Sequence, residues 1–336
     1  MAVLLYADDR FEDHDTGPHH PERAARLPAL SAGLAAHGLL DGLTRVDPRP
    51  ATDGELHLVH PEVYVASIDR FCEAGGGHLD ADTILSPASA SVARLAAGSG
   101  LDAITRLERG EADAAFLAVR PPGHHATATR AMGFCVFNNA AVAAAALAAA
   151  GERVLVVDVD AHHGNGTQDI FYERGDVAYV SWHQHPLYPG TGRLEDVGSG
   201  EGEGTTLNLP MPPDATGEHY RRSIEEIIAP FSERFGTTWL VISAGFDSHR
   251  RDPLTDLGLT SGDFSDITTD LVQLVEPGRR LVFLEGGYDL QAVADSGAAT
   301  VASLLGERVH PEPPTSGGPG SVVVNQVAEL RRRFDR

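Results

Sequence analysis

Asp158, Asp160, His162 and His163 place two carboxylates and two imidazoles within six residues, in the stretch Val157-Asp158-Val159-Asp160-Ala161-His162-His163-Gly164-Asn165-Gly166. The apolar run Val154-Leu155-Val156-Val157 leads into it and reads as a strand buried on both faces, the kind found in parallel sheets. The carboxyl end of such a strand is where open α/β folds keep their ligands. Asp160 and His162 stand two apart, so on an extended chain they point the same way and can grip one metal ion. Oxygen and nitrogen donors of this type suit zinc, with iron or cobalt as alternatives.

Three further motifs also follow apolar strands. Arg120-Pro121-Pro122-Gly123-His124-His125 comes after Ala114–Ala118, Ser243-Ala244-Gly245-Phe246-Asp247 closes Trp239–Ile242, and Leu284-Glu285-Gly286-Gly287-Tyr288 closes the last strand. Loops on one edge of a parallel sheet can meet in a single cleft. Asp247 would complete a set of two carboxylates and one imidazole, leaving room for water and substrate as a catalytic zinc requires. The His124-His125 pair can take the water's proton, and Tyr288 can donate its phenol to a developing oxyanion. That assembly hydrolyses an amide or ester. Taken singly, an Asp after a strand is a cap or turn residue, a Tyr packs, and a His-His pair is surface or turn polarity, with at least one member of His19-His20 such a bystander. The chemical reading rests on all four motifs having complementary roles.

The elements needed to position these motifs alternate along the chain. Strands are expected at Ala2–Tyr6, Ala114–Ala118, Val154–Val159, Val177–Trp182, Thr205–Leu209, Trp239–Ser243 and Arg280–Glu285, and helices at Pro87–Arg109, Asn139–Ala150, Gly217–Phe235 and Thr260–Val275. The pattern predicts an α/β fold with a parallel sheet, as one catalytic domain over residues 1–310. Residues 311–336 form a Pro/Gly-rich loop and C-terminal tail, with Val322–Arg333 a terminal helix or strand.

Composition narrows the partners. The 336 residues carry a formal charge of −22, and every one of the 26 basic residues is arginine. So acidic a surface disfavours nucleic acid and anionic membranes. No apolar run is long enough to span a bilayer, and the start Met1-Ala2-Val3-Leu4-Leu5-Tyr6-Ala7-Asp8-Asp9, too short and too soon acidic for a leader, reads as a first strand. Two cysteines, Cys72 and Cys135, imply no disulfide framework and fit a reducing cytoplasm. Oligomeric state is left open, with a homodimer or homotetramer among the options.

On these residues the chain resembles the histone deacetylase superfamily, which also holds acetylpolyamine amidohydrolases and acetoin-utilisation proteins. The resemblance runs over roughly residues 10–300 and is carried in order by Arg120–His125, Gly133-Phe134-Cys135-Val136-Phe137-Asn138-Asn139, Asp158–Gln168, Ser243–Asp247 with Asp252-Pro253-Leu254, and Glu285–Tyr288. It implies an arginase-like three-layer α/β/α fold with a central, mainly parallel sheet and the active site at the carboxyl ends of the strands. It also implies zinc ligands at Asp160, His162 and Asp247, tandem histidines at His124 and His125 with the second as general base, and a transition-state tyrosine at Tyr288. Asp158 matches the carboxylate that orients the first histidine and helps hold a structural potassium ion, with Ser181 and backbone carbonyls near Asp160, His162 and Trp182. A second potassium site is hinted at by Phe171 and Val177. Gly133, Phe134, Tyr188 and Leu254 match the substrate tunnel, Leu254 standing where a polyamine-selective member carries a gatekeeping Glu. Asn165 resembles class II members and their bacterial relatives. The implied reaction removes an acetyl or other short acyl group from lysine in a protein or peptide. The rival readings are an acetylpolyamine or other small acyl-amide hydrolase, a catalytically silent acetyl-lysine binder, and a ureohydrolase. The last needs a bridging carboxylate where this chain has Gly164.

Overall fold

The computed structural model describes residues 1–334. Its centre is an eight-stranded sheet in the order β2-β1-β5-β10-β9-β6-β7-β8, with every pairing parallel. These strands are β1 Val3–Tyr6, β2 Leu43–Arg45, β5 Ala114–Leu117, β6 Val154–Asp158, β7 Val177–Gln184, β8 Thr206–Met211, β9 Trp239–Ala244 and β10 Arg280–Leu284. A small antiparallel hairpin, β3 Gly77–His78 with β4 Ile84–Leu85, stands outside the sheet.

Helices cover both faces, so the central strands are buried from end to end. This is why they read as unbroken apolar runs rather than alternating ones. Each fully buried Val or Leu contributes about 1.5–3 kcal/mol, which makes the strand ends the stiffest place on which to mount a side chain. Helix Asn139–Ala149 is alanine-rich and packs against helix Ser89–Glu108. Asn138 caps it, its side chain accepting the Ala141 N–H at 3.0 Å. Helices Arg26–Ala36, Leu290–Leu305 and Ser261–Leu271 form a second packed group.

Three details differ from the sequence expectation. The edge strand β2 has only three residues, none of them buried, which left no apolar run to read. The helix expected over Gly217–Phe235 is continuous but carries a π-helical turn at Ile224–Ile228. Pro230 lies just beyond that turn and cannot donate a backbone hydrogen bond into it. Thr260–Val275 closes early, as helix Ser261–Leu271 followed by a 3₁₀ turn.

The Pro/Gly-rich segment after residue 310 runs over the body of the protein. The Glu312 carboxylate accepts from His249 Nε2 and Arg250 Nη2, both at 2.6 Å, and Thr315 donates its N–H and O–H to Asp263. The chain then forms helix Ser321–Arg331, which packs beside β8. No helix among the described residues is long and apolar enough to cross a membrane.

Candidate functional site

Strands β5, β10, β9 and β6 are consecutive neighbours in the sheet. The four motif loops leave the carboxyl ends of these four strands, so sheet order alone brings Gly123–His125, Glu285–Tyr288, Ser243–Asp247 and Asp158–Gly166 together.

Asp160, His162 and Asp247 are buried, with one ligand atom of each lying within 4.8 Å of the others. His162 Nδ1 sits 3.1 Å from Asp160 Oδ1 and 3.0 Å from Asp247 Oδ2. Backbone N–H groups fix the carboxylates: Ala161 donates to Asp247 Oδ1, His162 to Asp160 Oδ1 and Gly286 to Asp160 Oδ2, each at 2.8 Å. Glycine is required at 286 by the closeness of this packing, since a Cβ there would lie 2.2 Å from Asp247 Oδ2. Burial and the neighbouring Asp160 push the Asp247 carboxyl up to about 6. The two carboxylates overcome burial to push His162 up to about 10. Two desolvated carboxylates facing one imidazole fit a divalent cation, and this donor set suits zinc.

The tandem histidines have different surroundings. His124 donates from Nδ1 to Asp158 Oδ2 at 3.0 Å, and its Nε2 lies 3.8 Å from Asp160 Oδ1. Burial opposes its charge, but Asp160 and Asp158 raise its pKa well above the usual imidazole value. His125 donates from Nδ1 to the uncharged Asn165 Oδ1 at 2.8 Å. Burial, reinforced by His124 and His162, holds it well below that value. His125 is thereby a neutral imidazole with a free Nε2, the form a general base needs. A Cβ on Gly133 would lie 2.4 Å from His125 Cδ2, and Gly133 has φ +55°. The next residue, Phe134, keeps a left-handed φ of 68°, a strain of the sort found where a side chain must be aimed.

Tyr288 packs edge-on to Phe134 at 5.8 Å between ring centroids, with the Arg26 guanidinium 5.4 Å from its own ring centre. Burial, with Asp247 and Asp160 nearby, raises the phenol well above its ordinary pKa, so it remains a donor. Tyr188 stands edge-on to His125 at 5.2 Å and is 39% exposed. Of the pair His19-His20, His20 packs edge-on against Phe134 at 4.7 Å, whereas His19 is exposed. Leu254 is 40% exposed, and its N–H donates to Asp252 Oδ1.

Asp158 is buried at the end of β6, in register with Ser181 on β7. Tyr179 Oη and the Asp160 N–H also donate to its carboxylate. His183 donates from Nε2 to the Gly192 carbonyl, so its Nδ1 accepts from Ser181 Oγ. His163 bonds Thr191 and Gln168 rather than joining the carboxylate cluster. A Cβ on Gly164 would sit 2.2 Å from Asp158 Oδ2 and 2.5 Å from Tyr179 Oη. No bridging carboxylate can therefore be mounted at 164, which removes the ureohydrolase arrangement.

Several supporting residues carry no role in the sequence reading. Glu22, Arg26 and Arg120 form a fully buried ion cluster. Arg26 extends it to the Gly287 and Glu285 carbonyls at the base of the Tyr288 turn. Asp252 accepts the Tyr288 N–H at 2.7 Å and, desolvated beside Asp247, is pushed up to about 7. Their one sequence signal is an ionisable residue inside or beside a motif, as with Glu22 after His19-His20-Pro21.

Residues 20–304 match the histone deacetylase domain model. The chain is 40% identical over 317 residues to histone deacetylase 15 of Arabidopsis thaliana, covering 93% of this chain but 57% of that protein. It is 40% identical to a histone deacetylase-like amidohydrolase of Pseudomonas aeruginosa, over 86% of this chain and 77% of that one. A probable deacetylase of Archaeoglobus fulgidus is 37% identical over 91% of this chain and 87% of its own length. The crystal structure of the HDA15 HD domain superimposes with a TM-score of 0.92 at 38% identity, covering 99% of this chain and 95% of that one. With its all-parallel sheet, its motif loops and these relatives, the chain belongs to the histone deacetylase family.

Proposed function

We propose that this protein is a zinc-dependent amidohydrolase that removes acetyl or other short acyl groups from the ε-amino group of lysine in proteins or peptides. The observation that carries the reading is the contrast between the hydrogen-bond partners of His124 and His125, a carboxylate for one and a neutral amide for the other, set beside the triad of Asp160, His162 and Asp247. A zinc ion held by that triad, or iron or cobalt in its place, would lower the pKa of a water and polarise the scissile carbonyl.

The chain's own groups account for the remaining steps. His125 Nε2 takes the proton of the attacking water and later returns it to the leaving amine, while Asn165 holds the Nδ1 proton in place. His124, charged and anchored on Asp158, offsets negative charge as the carbonyl is attacked. Tyr288 donates its phenol to the same oxyanion. Phe134 and Tyr188, with Gly133 at the floor, flank the aliphatic stem of the acylated side chain, and Leu254 stands at the rim. Asp158 and Ser181, with carbonyls of Asp160, His162 and Trp182, would hold a structural potassium ion.

One observation favours a second reading, an acetylpolyamine substrate. The hydroxyl of Tyr188 is raised first by burial and then by Asp82, with Asp80 adding to this and Arg130 opposing it, so the carboxylates near the mouth outnumber the cation and would attract a polycation. Leu254, with no charge to add, favours the peptide. The metal-loaded protein should therefore cleave acetyl-lysine peptides with a higher kcat/KM than N-acetylputrescine or N-acetylspermidine, and Tyr288→Phe should lose on the order of 10²-fold in rate with metal content intact. A preference for the amines would replace the peptide reading. A folded, zinc-loaded protein that hydrolyses no acyl amide while binding acetyl peptides would leave only the silent binder.

A further inference from the structure

Glu285 directly follows β10, the strand between β5 and β9, and its carboxylate is fully buried. One oxygen, Oε2, accepts two backbone N–H groups, from Gly123 at 2.7 Å and His124 at 3.2 Å. The other, Oε1, accepts the Ser243 hydroxyl at 3.1 Å. A single side chain thus ties the tandem-histidine turn after β5 to the strand that leads into Asp247, and Tyr288 follows it three residues later. Its partners are neutral donors: Arg26 binds the Glu285 backbone carbonyl. His124, Cys135 and Glu285 have ligand-type atoms within 4.8 Å of one another. Both Glu285 oxygens are already engaged and His124 Nδ1 is held by Asp158, so this cluster is a hydrogen-bonded support rather than an open ion site.

Burying a carboxylate against neutral donors is costly, and a fold keeps one when the bonds it makes fix a geometry. Desolvation pushes Glu285 up to about 7, against the pull of His124 and the Gly123 N–H. Asp158 reaches the His124 ring, but the main chain that carries both imidazoles is held from beneath by Glu285 Oε2.

We propose that Glu285 is a positioning residue for hydrolysis, its Oε2 setting the backbone of Gly123 and His124 so that both imidazoles face the metal triad. The proposal rests on the reaction proposed above. It is the position of the acceptor oxygen that matters, so two variants separate position from charge. Glu285→Gln keeps an acceptor oxygen in place and discards the charge. Glu285→Asp keeps the charge and withdraws the oxygens by about one C–C bond, roughly 1.5 Å.

In folded, metal-loaded protein, Glu285→Asp should lower kcat on the order of 10²-fold with KM little changed, because misplacement of about 1 Å costs that much. Glu285→Gln should recover kcat to within about five-fold, the scale of about 1 kcal/mol. The reverse order of the two variants overturns the proposal. Should Glu285→Asp not fold, a loss of more than about thirty-fold in folded Glu285→Gln, about 2 kcal/mol of barrier, overturns it alone. If the wild-type protein cleaves no acyl amide, the proposed function fails separately. Placement is then read from the imidazole NMR resonances of His124 and His125 in the metal-loaded protein, where the His125 resonances, which do not depend on the Glu285 charge, should shift in Glu285→Asp and stay close to wild type in Glu285→Gln. Resonances unmoved in both variants overturn the proposal.

Discussion

Replacing Glu22 by Gln should destabilise the protein by about 3–5 kcal/mol, the usual result of removing one partner from a buried ion pair. Glu22, Arg26 and Arg120 are each 0% exposed. Arg120 grips the carboxylate with two nitrogens, Nη2 at 2.8 Å and Nε still closer, and Arg26 Nη1 adds a bond at 3.2 Å. The cluster holds two guanidiniums on one carboxylate, so Glu22→Gln leaves two buried cations with no counter-charge. An independent route gives the same size. Burial alone would raise the Glu22 carboxyl, yet Arg120 and then His14 and Arg26 bring it from 4.5 to about 2. That displacement corresponds to about 3 kcal/mol.

Calorimetry converts this into temperature. Unfolding entropy of roughly 2.1 cal/mol/K per residue gives about 0.7 kcal/mol/K for a chain of this length, so Tm should fall by about 4–7 °C. The pH dependence has a definite sign. The folded pKa is depressed, so the stabilisation is complete above pH 4.5 and is lost as pH falls from there through about 2. The variant should lack this part of the acid slope. A drop in Tm below about 1 °C, roughly the effect of a weak surface pair, or an acid slope equal to that of the wild type would refute the reasoning.

Two further outcomes are expected. His14 and His60 are buried and brought by desolvation from 6.5 to about 4. Their neutral forms favour the fold fully above pH 6.5 and lose that effect as pH falls toward 4, so Tm should decline between pH 7 and 5 and decline less in His60→Gln; a flat wild-type curve would contradict this. Gly133→Ala places a methyl 2.4 Å from His125 Cδ2 at a left-handed φ. It should cost about 1–3 kcal/mol of stability and at least about ten-fold in kcat with metal content kept, and a kcat within about two-fold of wild type would show that the ring is not constrained there.

What the sequence made legible follows physical range. The central strands were readable because burial on both faces leaves only apolar residues, and the motif loops because each begins where such a run stops. The parallel pattern therefore indicated the sheet, and the strand ends indicated Asp160, His162, Asp247, His124, His125 and Tyr288. Strand β2, at Leu43–Arg45, is short, unburied and on the sheet edge, so its partner β1 rather than its own composition makes it a strand. The supporting groups were hidden for a similar reason. Glu22 meets Arg120 across 98 residues and Arg26 meets Gly287 across 261. No local spacing records such pairs. Asn165 was legible as a branch marker, but its bond to His125 Nδ1 emerges only when the loops after β5 and β6 are side by side.

That bond, set against the one made by His124, turns two adjacent and chemically identical residues into different instruments. An imidazole whose Nδ1 faces a carboxylate is driven toward its cationic form, and one whose Nδ1 faces a neutral amide stays a base. Asp158 and Asn165 supply these partners from the two ends of the loop that follows β6, where Gly164 is too small to disturb the bond between Asp158 and His124. Replacing Asn165 by Asp would give both histidines carboxylate partners and narrow the difference between them. Under the proposed reaction, the division of work between His124 and His125 is thus written in the residues that face them and not in the pair itself. The same logic places Glu285 beneath them, where it holds the main chain through neutral N–H donors and leaves each ring to its own partner.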